Sequence, residues 1–123
     1  MGFSKDILER FERERVVDMR TRSAKGTRHA VPIWIVVVDD VPYVRSVRGP
    51  RGRWYRELLA RGEGAIFAGG KSVPVRATHD RTPKAIEAVS AALRRKYSRS
   101  GQSLASMLRS EVVDTTVRLT PAD

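Results

Sequence analysis

The run from Val31 to Val38 constrains the fold of this chain more than any other feature of its sequence. It is almost entirely apolar and rich in β-branched side chains, which is typical of a strand buried on both faces. The pair Asp39-Asp40 follows and suits a tight turn, and a second strand-like segment continues from Val41 to Val47. The sequence therefore predicts a β-hairpin within an antiparallel sheet.

Helical and extended segments alternate along the rest of the chain. Ser4 is a candidate N-cap for an amphipathic helix that ends at Arg15, and Thr82-Pro83 caps a longer helix that runs to about Tyr97. Further strands are predicted over 16–21, 65–68, 72–78 and 112–119, with Gly69-Gly70 as a hairpin turn, a short helix over 53–60 that Gly62 ends, and a helical turn near 104–108. About five or six antiparallel strands capped by helices indicate an α+β fold, mainly β, built as a barrel or partly open barrel.

Composition favours one small domain in a reducing compartment. A length of 123 residues suits a single domain over 1–123, without disulfides or metals to hold it together. Cysteine is absent, which excludes a disulfide framework, a thiolate metal site and a cysteine nucleophile. The longest apolar run is too short to span a bilayer, and the N-terminal segment is charged throughout. We therefore expect a cytoplasmic protein that does not enter a membrane.

Positive charge is concentrated in the middle of the chain. The net charge is +10, and between Arg20 and Arg56 nine Lys or Arg residues stand against two acids, Asp39 and Asp40. A surplus concentrated in this way predicts an anionic partner, such as a phosphate-bearing small molecule or nucleic acid. The competing interpretation is a generally basic surface with no specific partner.

The segment from Tyr43 to Arg56 carries the most specific pattern. Arg45 and Ser46 stand at the end of a predicted strand, just before a Gly-Pro turn and the start of a helix. A guanidinium fork, a hydroxyl and the first free helix amides are together suited to a phosphate group. Arg51 and Arg53 add charge at the same place. The arginines are therefore candidate phosphate ligands, and the alternative is that they line a solvated rim.

Trp54 and Tyr55 begin the short helix and offer flat surfaces for a heteroaromatic ring. Packing of Trp54 in the hydrophobic core is an equally good interpretation of the same residue. Aromatic side chains among arginines also suit single-stranded RNA. The segment therefore leaves two classes of anionic partner open.

A second basic segment, the loop from Thr21 to His29, contains Lys25, Gly26 and Arg28 among several hydroxyl side chains. Such a loop can hold a phosphate with backbone amides while the cations supply charge, although the spacing is not that of a Walker loop. His29 and His79 are far apart in the sequence, and neither has acidic neighbours at metal-ligand spacing. If the protein is an enzyme, we expect a cofactor to supply the reactive group.

Two stretches of the chain resemble a known group of proteins. The first is the loop with Thr21, Lys25, Gly26 and Arg28 before Val31-Pro32-Ile33, and the second is the strand from Tyr43 to Ser46 before Gly49 and Trp54-Tyr55. Together they resemble the split β-barrel proteins related to pyridoxamine 5'-phosphate oxidase, especially the deazaflavin-dependent nitroreductase branch. The segment over 43–56 is also similar to a family of small uncharacterised bacterial proteins placed beside those reductases.

The resemblance implies an antiparallel split β-barrel that forms a homodimer, with a flavin-type cofactor at the subunit interface. It implies a protein that transfers hydride to or from a small substrate, with FMN or a deazaflavin as cofactor. The expected cofactor-binding residues are Lys25, Arg28, Arg45, Ser46, Arg51, Arg53, Trp54 and Tyr55. Two positions depart from the nitroreductase pattern, since Ser23 replaces a usual Gly and Glu57 replaces a usual Asn. A non-enzymatic binding module for nucleic acid or another anionic ligand is the alternative.

Overall fold

The computed structural model describes residues 2–122, so that Met1 and Asp123, the ends of the expected 1–123 domain, lie outside the described residues. Seven strands and five α-helices form within this range. The strands are β1 (Val17–Arg22), β2 (Arg28–Ile33), β3 (Val36–Val38), β4 (Val41–Val44), β5 (Glu63–Ala68), β6 (Lys71–His79) and β7 (Val117–Pro121). The helices are α1 (Lys5–Arg13), α2 (Arg53–Arg61), α3 (Pro83–Lys96), α4 (Gly101–Met107) and α5 (Ser110–Val113), with a 3₁₀ turn at Gly49–Arg51.

The strands form one sheet in the order β2-β1-β5-β6-β7-β4-β3, and every neighbouring pair is antiparallel. Strands β2 and β3 lie at opposite ends of this order, although only Trp34 and Ile35 separate them along the chain. The sheet must therefore curl until its two ends approach each other. The result is the half-open barrel expected from the sequence.

The prediction of one continuous strand from Val31 to Val38 is wrong. The chain leaves β2 after Ile33 and enters β3 at Val36, on the far side of the curled sheet. The run is apolar throughout because alternate residues pack in different cores. Ile33, Ile35 and Val37 contact the core inside the barrel, whereas Trp34, Val36 and Val38 contact the core outside it. The segment is therefore buried on both faces, as the sequence predicts, although it is divided between two strands.

Both predicted two-residue turns are confirmed. Asp39 and Asp40 join β3 to β4 with φ values of 49° and 65°. Gly69 and Gly70 join β5 to β6 with φ values of 56° and 79°. Positive φ at both central residues matches the right-handed twist of the paired strands, which explains why Asp and Gly occupy these positions.

The helices cover the two cores. Helix α1 begins at the predicted N-cap, where the Ser4 hydroxyl accepts a hydrogen bond from the amide of Ile7 at 3.3 Å. Phe11 of α1 and Leu58 of α2 are fully buried in the core inside the barrel. Helices α3, α4 and α5 pack on the opposite side of β3 and β4, around the buried ring of Tyr97. No helix within 2–122 combines the length and the apolar composition needed to cross a membrane.

The predicted start of the last strand, at residue 112, is also wrong. Val112 belongs to α5, and β7 begins at Val117. The hydroxyls of Thr115 and Thr116 donate to the carbonyls of Val112 and Val113 at 2.6 and 2.7 Å, beside the hydrogen bonds that the amides of the same two threonines donate to these carbonyls. β-branched residues between 112 and 116 therefore complete a helix end before the strand begins.

The segment between β2 and β3 is held by the end of α3. The Lys96 ammonium donates to the carbonyls of Phe11 and Ile35 at 2.8 Å each, and the Tyr97 hydroxyl donates to the carbonyl of Arg15 at 2.8 Å. Burial lowers the pKa of Lys96 to about 8 and raises the pKa of Tyr97 to about 12. These bonds fix the point at which the chain crosses from one end of the sheet to the other.

Candidate functional site

A cavity with a volume of about 840 Å³ opens beside the start of α2. Its apolar wall comes from the end of β2 and from Trp34, Trp54 and Met107. Its polar wall comes from the segment between β4 and α2, and Ser103 and Ser106 of α4 add two hydroxyls. One cavity therefore combines an apolar surface with a cluster of hydrogen-bond donors.

The N-terminus of α2 lies at this cavity and has no side-chain cap. Gly52 is the N-cap residue, and its carbonyl accepts the first intrahelical hydrogen bond from the amide of Arg56 at 3.1 Å. The amides of Arg53, Trp54 and Tyr55 come before that first donor, so the helix itself offers them no acceptor. Free amides and the positive end of the helix dipole together favour an anion at this position.

Ser46 lies against this helix start. Its side chain is 0% exposed, its amide donates to the Thr115 hydroxyl at 2.9 Å, and its own hydroxyl has no hydrogen-bond partner among residues 2–122. A β-carbon at Gly52 would overlap the Ser46 hydroxyl, so only glycine allows the two to lie this close. A buried hydroxyl without a partner costs about 1–3 kcal/mol, which an acceptor in the cavity would recover.

Arg45 has a different position from the one expected. It is 2% exposed, and its guanidinium donates to the Thr116 hydroxyl at 2.9 Å, to the Met107 carbonyl at 3.2 Å and to the Ile86 carbonyl at 2.9 Å. Burial lowers its pKa to about 10, and the nearby Arg94 acts in the same direction. Although Arg45 lines the cavity, three of its donors bind the protein. Its role is therefore to join β7, α3 and α4 behind the cavity wall.

Four exposed arginines form the rim of the cavity: Arg48, Arg51, Arg53 and Arg56. None of them forms an ion pair with another residue of the described range. Arg51 and Arg53 were expected at the site, whereas Arg48 and Arg56 were not. Since Arg53 and Arg56 are three residues apart on α2, they lie on the same face of the helix. The three-residue spacing between Arg53 and Arg56 therefore already indicated in the sequence that Arg56 belongs to the same site.

The expected aromatic pair is divided by the helix. Trp54 lines the cavity and also packs in the core inside the barrel, with 8% of its surface exposed, so both interpretations of this residue apply. Tyr55 lies outside the cavity lining, and its hydroxyl donates to Nε2 of His79. The Arg81 guanidinium, which can only donate, lies 3.4 Å from the same nitrogen, so that nitrogen is the acceptor of both contacts. Burial lowers the pKa of His79, with a further contribution from Arg81. Successive helix positions differ by about 100°, which is why neighbours in the sequence face different surroundings.

Lys25 and Arg28 do not reach the cavity of their own chain. Both lie at the tip of the β1–β2 hairpin, where the amide of Gly26 donates to the Ser23 carbonyl at 2.9 Å. Arg28 pairs with Arg22 across the two strands, and both side chains are exposed. The structure thus separates the two basic segments that the sequence suggested as one site.

Glu57 does not oppose an anion in the cavity, because its side chain faces the sheet. It accepts hydrogen bonds from the Thr21 hydroxyl at 2.7 Å and from Nδ1 of His29 at 3.0 Å. Burial alone raises the pKa of Glu57, but these two hydrogen bonds and the charges of His29 and Arg53 outweigh it, so the net shift is downward. This carboxylate ties α2 to β1 and β2.

Sequence reasoning missed the part of the site that comes from distant segments. Trp34 was treated as the middle of a buried strand, and residues 101–107 were given no role. Nothing in the local pattern around Trp34 marks it as a cavity residue. Only the crossing between β2 and β3 exposes it there. Among the described residues, no group of three His, Asp or Glu side chains is arranged to hold a metal ion.

The curled antiparallel sheet with its covering helices defines a protein of the split β-barrel class, related in fold to pyridoxamine 5'-phosphate oxidase. Within that class, the chain belongs to the family described as "Uncharacterized protein conserved in bacteria (DUF2255)", whose pattern matches residues 7–119. The suspected resemblance is thereby confirmed. No protein of curated function matches the chain in sequence.

Three solved structures illustrate the likeness in fold. HutZ, a heme storage protein from Vibrio cholerae, superposes with a TM-score of 0.69 at 15% identity, covering 100% of this chain and 92% of that one. A Listeria innocua protein, provisionally described as a pyridoxamine 5'-phosphate oxidase, gives 0.68 at 11% identity, with coverage of 96% and 92%. An F420-H2 dependent reductase, FDR-A, gives 0.62 at 17% identity, with coverage of 87% and 94%. At these identities the likeness concerns the fold.

Replacing Arg45 with Met tests its role behind the cavity wall. The change removes three hydrogen bonds from a charged donor, one to the Thr116 hydroxyl and two to carbonyls, so we expect a loss of about 3 kcal/mol in the free energy of unfolding. Arg53→Met, the same change at an exposed rim position, should cost less than about 0.5 kcal/mol. Urea denaturation of the two variants measures both values. Equal stability of the two would contradict the role given to Arg45.

The Glu57 contacts predict a pH-dependent contribution to stability. Because the folded pKa of Glu57 lies below its ordinary value of 4.5, the stabilisation is fully present above that value and is lost as the pH falls through the folded pKa. The stability difference between the wild type and Glu57→Gln should therefore shrink from about pH 5 to pH 3. Urea denaturation at pH 7, 5 and 3 measures it, with exposed Glu87→Gln as the matched control. A difference that stays constant over this range would show that Glu57 does not act through its charge.

Proposed function

We propose that this protein binds a phosphate-bearing flavin-type cofactor, FMN or a deazaflavin, and transfers hydride between that cofactor and a small substrate. The observation that carries the proposal is the unpartnered Ser46 hydroxyl at the uncapped start of α2, in a cavity with an arginine rim. A hydroxyl, free amides and guanidinium groups are the donors that bind phosphate in proteins.

The phosphate end of the ligand is assigned to the polar wall. The Ser46 hydroxyl and the amides at the start of α2 donate directly, and Gly52 keeps the approach open because a side chain there would overlap Ser46. Arg51 and Arg53 supply the balancing charge from the exposed rim. Arg45 takes no direct part and holds this wall in place from behind.

The ring end is assigned to the apolar wall formed by Val31, Ile33, Trp34, Trp54 and Met107. These side chains exclude water from a bound ring and bury its apolar surface. The described lining holds no carboxylate, histidine, lysine, tyrosine or cysteine side chain. General acid–base or nucleophilic catalysis by such groups therefore has no agent in the cavity. A bound cofactor that itself supplies the hydride chemistry fits a lining of this composition.

The names of similar proteins agree with this assignment. FDR-A is named as a reductase dependent on F420-H2, and the Listeria protein is described by its relation to an oxidase of pyridoxamine 5'-phosphate. HutZ is named as a heme storage protein, but His29 and His79 both lie outside the described lining of this cavity. A ligand held by phosphate therefore suits this chain better than a heme held by histidine.

A second copy of the chain would complete the rim. Lys25 and Arg28 lie away from the cavity of their own subunit, while Val47, 48% exposed, leaves an apolar side chain at the cavity mouth. We propose a homodimer in which the β1–β2 hairpin of one copy approaches the cavity of the other. This pairing would bring the two basic segments together and cover the exposed side chain of Val47.

Titration with cofactors tests the proposed function. FMN and the deazaflavin cofactor should bind more tightly than riboflavin, which lacks the phosphate, and added salt should weaken binding because it screens exposed charge over about 10 Å at 0.1 M. Arg53→Ala should weaken FMN binding by about 1.5–3 kcal/mol, the range for a charged hydrogen bond. Exposed Arg95→Ala on α3 is the matched control and should bind normally.

Two results would contradict the proposal. One is equal or absent binding of all three cofactors to the wild-type protein. The other is tight binding of a single-stranded oligonucleotide that Arg95→Ala weakens as much as Arg53→Ala, which would favour the nucleic-acid module spread over the whole basic surface.

The dimer is tested by light scattering at micromolar concentration. The measured mass should be twice the chain mass of 13.8 kDa. Lys25→Ala combined with Arg28→Ala should lower cofactor affinity in that dimer, although neither residue lines the cavity of its own chain. A protein of 13.8 kDa that binds cofactor normally would rule out the shared site.

A further inference from the structure

Trp34 and Tyr97 form a parallel aromatic stack beside the cavity. Their ring centroids are 3.9 Å apart and the ring planes differ by 3°. Trp34 stands at the crossing between β2 and β3, and Tyr97 ends α3. The stack therefore joins two segments that are far apart in the sequence.

The orientation of the indole is fixed by its surroundings. Tyr97 is 0% exposed, and its hydroxyl accepts from the amide of Ile35 at 3.3 Å and donates to the carbonyl of Arg15 at 2.8 Å. On either side of Trp34 along the chain, Ile33 and Ile35 are buried at 7% and 0% exposure. A ring held by a buried stacking partner and two buried neighbours loses little further freedom when a ligand binds.

Trp34 stacks on Tyr97, packs against the core outside the barrel and also lines the cavity. Trp34 is only partly buried and lines the cavity together with Ser46 and the start of α2. Trp54, the other tryptophan of the lining, packs in the core and meets Tyr55 edge-on, with centroids 6.2 Å apart at 89°. Of the two tryptophans, Trp34 is the one that offers an aromatic surface on a rigid support.

We propose that Trp34 is the stacking platform for the planar heteroaromatic ring of an anion-bearing ligand in this cavity. The ring lies on the indole, and the anionic group of the same ligand reaches the Ser46 hydroxyl and the α2 amides. This inference deepens the proposed function and rests on the same cavity. It assigns to Trp34 the ring contact that the sequence had suggested for Trp54 and Tyr55.

Single-tryptophan variants test the platform directly, since the chain contains two tryptophans. Trp54→Phe leaves Trp34 as the only emitter, and Trp34→Phe leaves Trp54. Three probes are added to each variant: FMN, riboflavin, and pyrenetetrasulfonate, a planar aromatic polyanion that is not a cofactor. Circular dichroism first establishes that both variants are folded. If Trp54→Phe does not fold, the wild-type protein is used in its place. The emission of Trp34 is then the difference between the emission of the wild type and that of Trp34→Phe.

Ring stacking quenches the fluorescence of the tryptophan it covers, while energy transfer to a bound ring quenches both tryptophans of the lining. Quenching should therefore be stronger for Trp34 than for Trp54. Quenching of Trp34 by pyrenetetrasulfonate with no response to FMN would retain the platform and reject the flavin assignment. Quenching confined to Trp54, or absent from Trp34 with all three probes, would overturn the platform.

Affinity provides an independent measurement. Trp34→Leu should weaken FMN binding about 5- to 150-fold, the range for loss of one aromatic stacking contact. Trp34→Phe should restore part of that loss, because phenylalanine keeps a flat ring. Binding of inorganic phosphate should be unchanged in both variants, since that ion reaches only the polar wall. Unchanged FMN affinity in Trp34→Leu would overturn the platform while leaving cofactor binding intact.

Discussion

The arrangement of the cavity depends on the hydrogen bonds that the buried guanidinium of Arg45 donates. It follows β4 directly and donates to Thr116 before β7, to the Met107 carbonyl of α4 and to the Ile86 carbonyl of α3. A charged side chain is costly to bury unless its donors are satisfied, so these acceptors are matched to it. Because the next residue is Ser46, the same contacts fix where the candidate phosphate donors lie. Arg45 thus holds Ser46 and the cavity wall in position.

The curl of the sheet supplies the other half of the site. The chain passes from β2 to β3 within two residues, so the ends of the sheet must come together at Trp34 and Ile35. Lys96 and Tyr97 hold this crossing with hydrogen bonds to the carbonyl of Ile35 within it and to the carbonyls of Phe11 and Arg15 in and after α1. The cavity opens between the crossing and the start of α2. The crossing between β2 and β3 therefore supplies apolar residues to the cavity, and the start of α2 supplies polar groups.

Much of the fold could be predicted from local patterns, and the site could be predicted only in part. Asp39-Asp40, Gly69-Gly70 and the Ser4 cap act within a few residues, so their sequence patterns determine their conformations. The run over 31–38 is buried on both faces, as its pattern predicts, but that pattern does not show that the chain leaves one end of the sheet at Ile33 and enters the other end at Val36. For Arg45, sequence spacing could place the side chain near the site but could not show the three protein acceptors that surround its guanidinium. Trp34 was missed because its exposure depends on the crossing of distant strands.

The central claim is that an anion binds at the uncapped start of α2, against Ser46. Titration of ¹⁵N-labelled protein with inorganic phosphate, followed by amide chemical shifts, tests this most directly. The account predicts that the largest shifts occur at the amides of Arg53, Trp54 and Tyr55, and that Ser46→Ala reduces them. The amides around Arg95, an exposed arginine on α3 that is not part of the cavity lining, should shift little in the same titration. Shifts at Arg95 as large as those at the start of α2 would contradict the account.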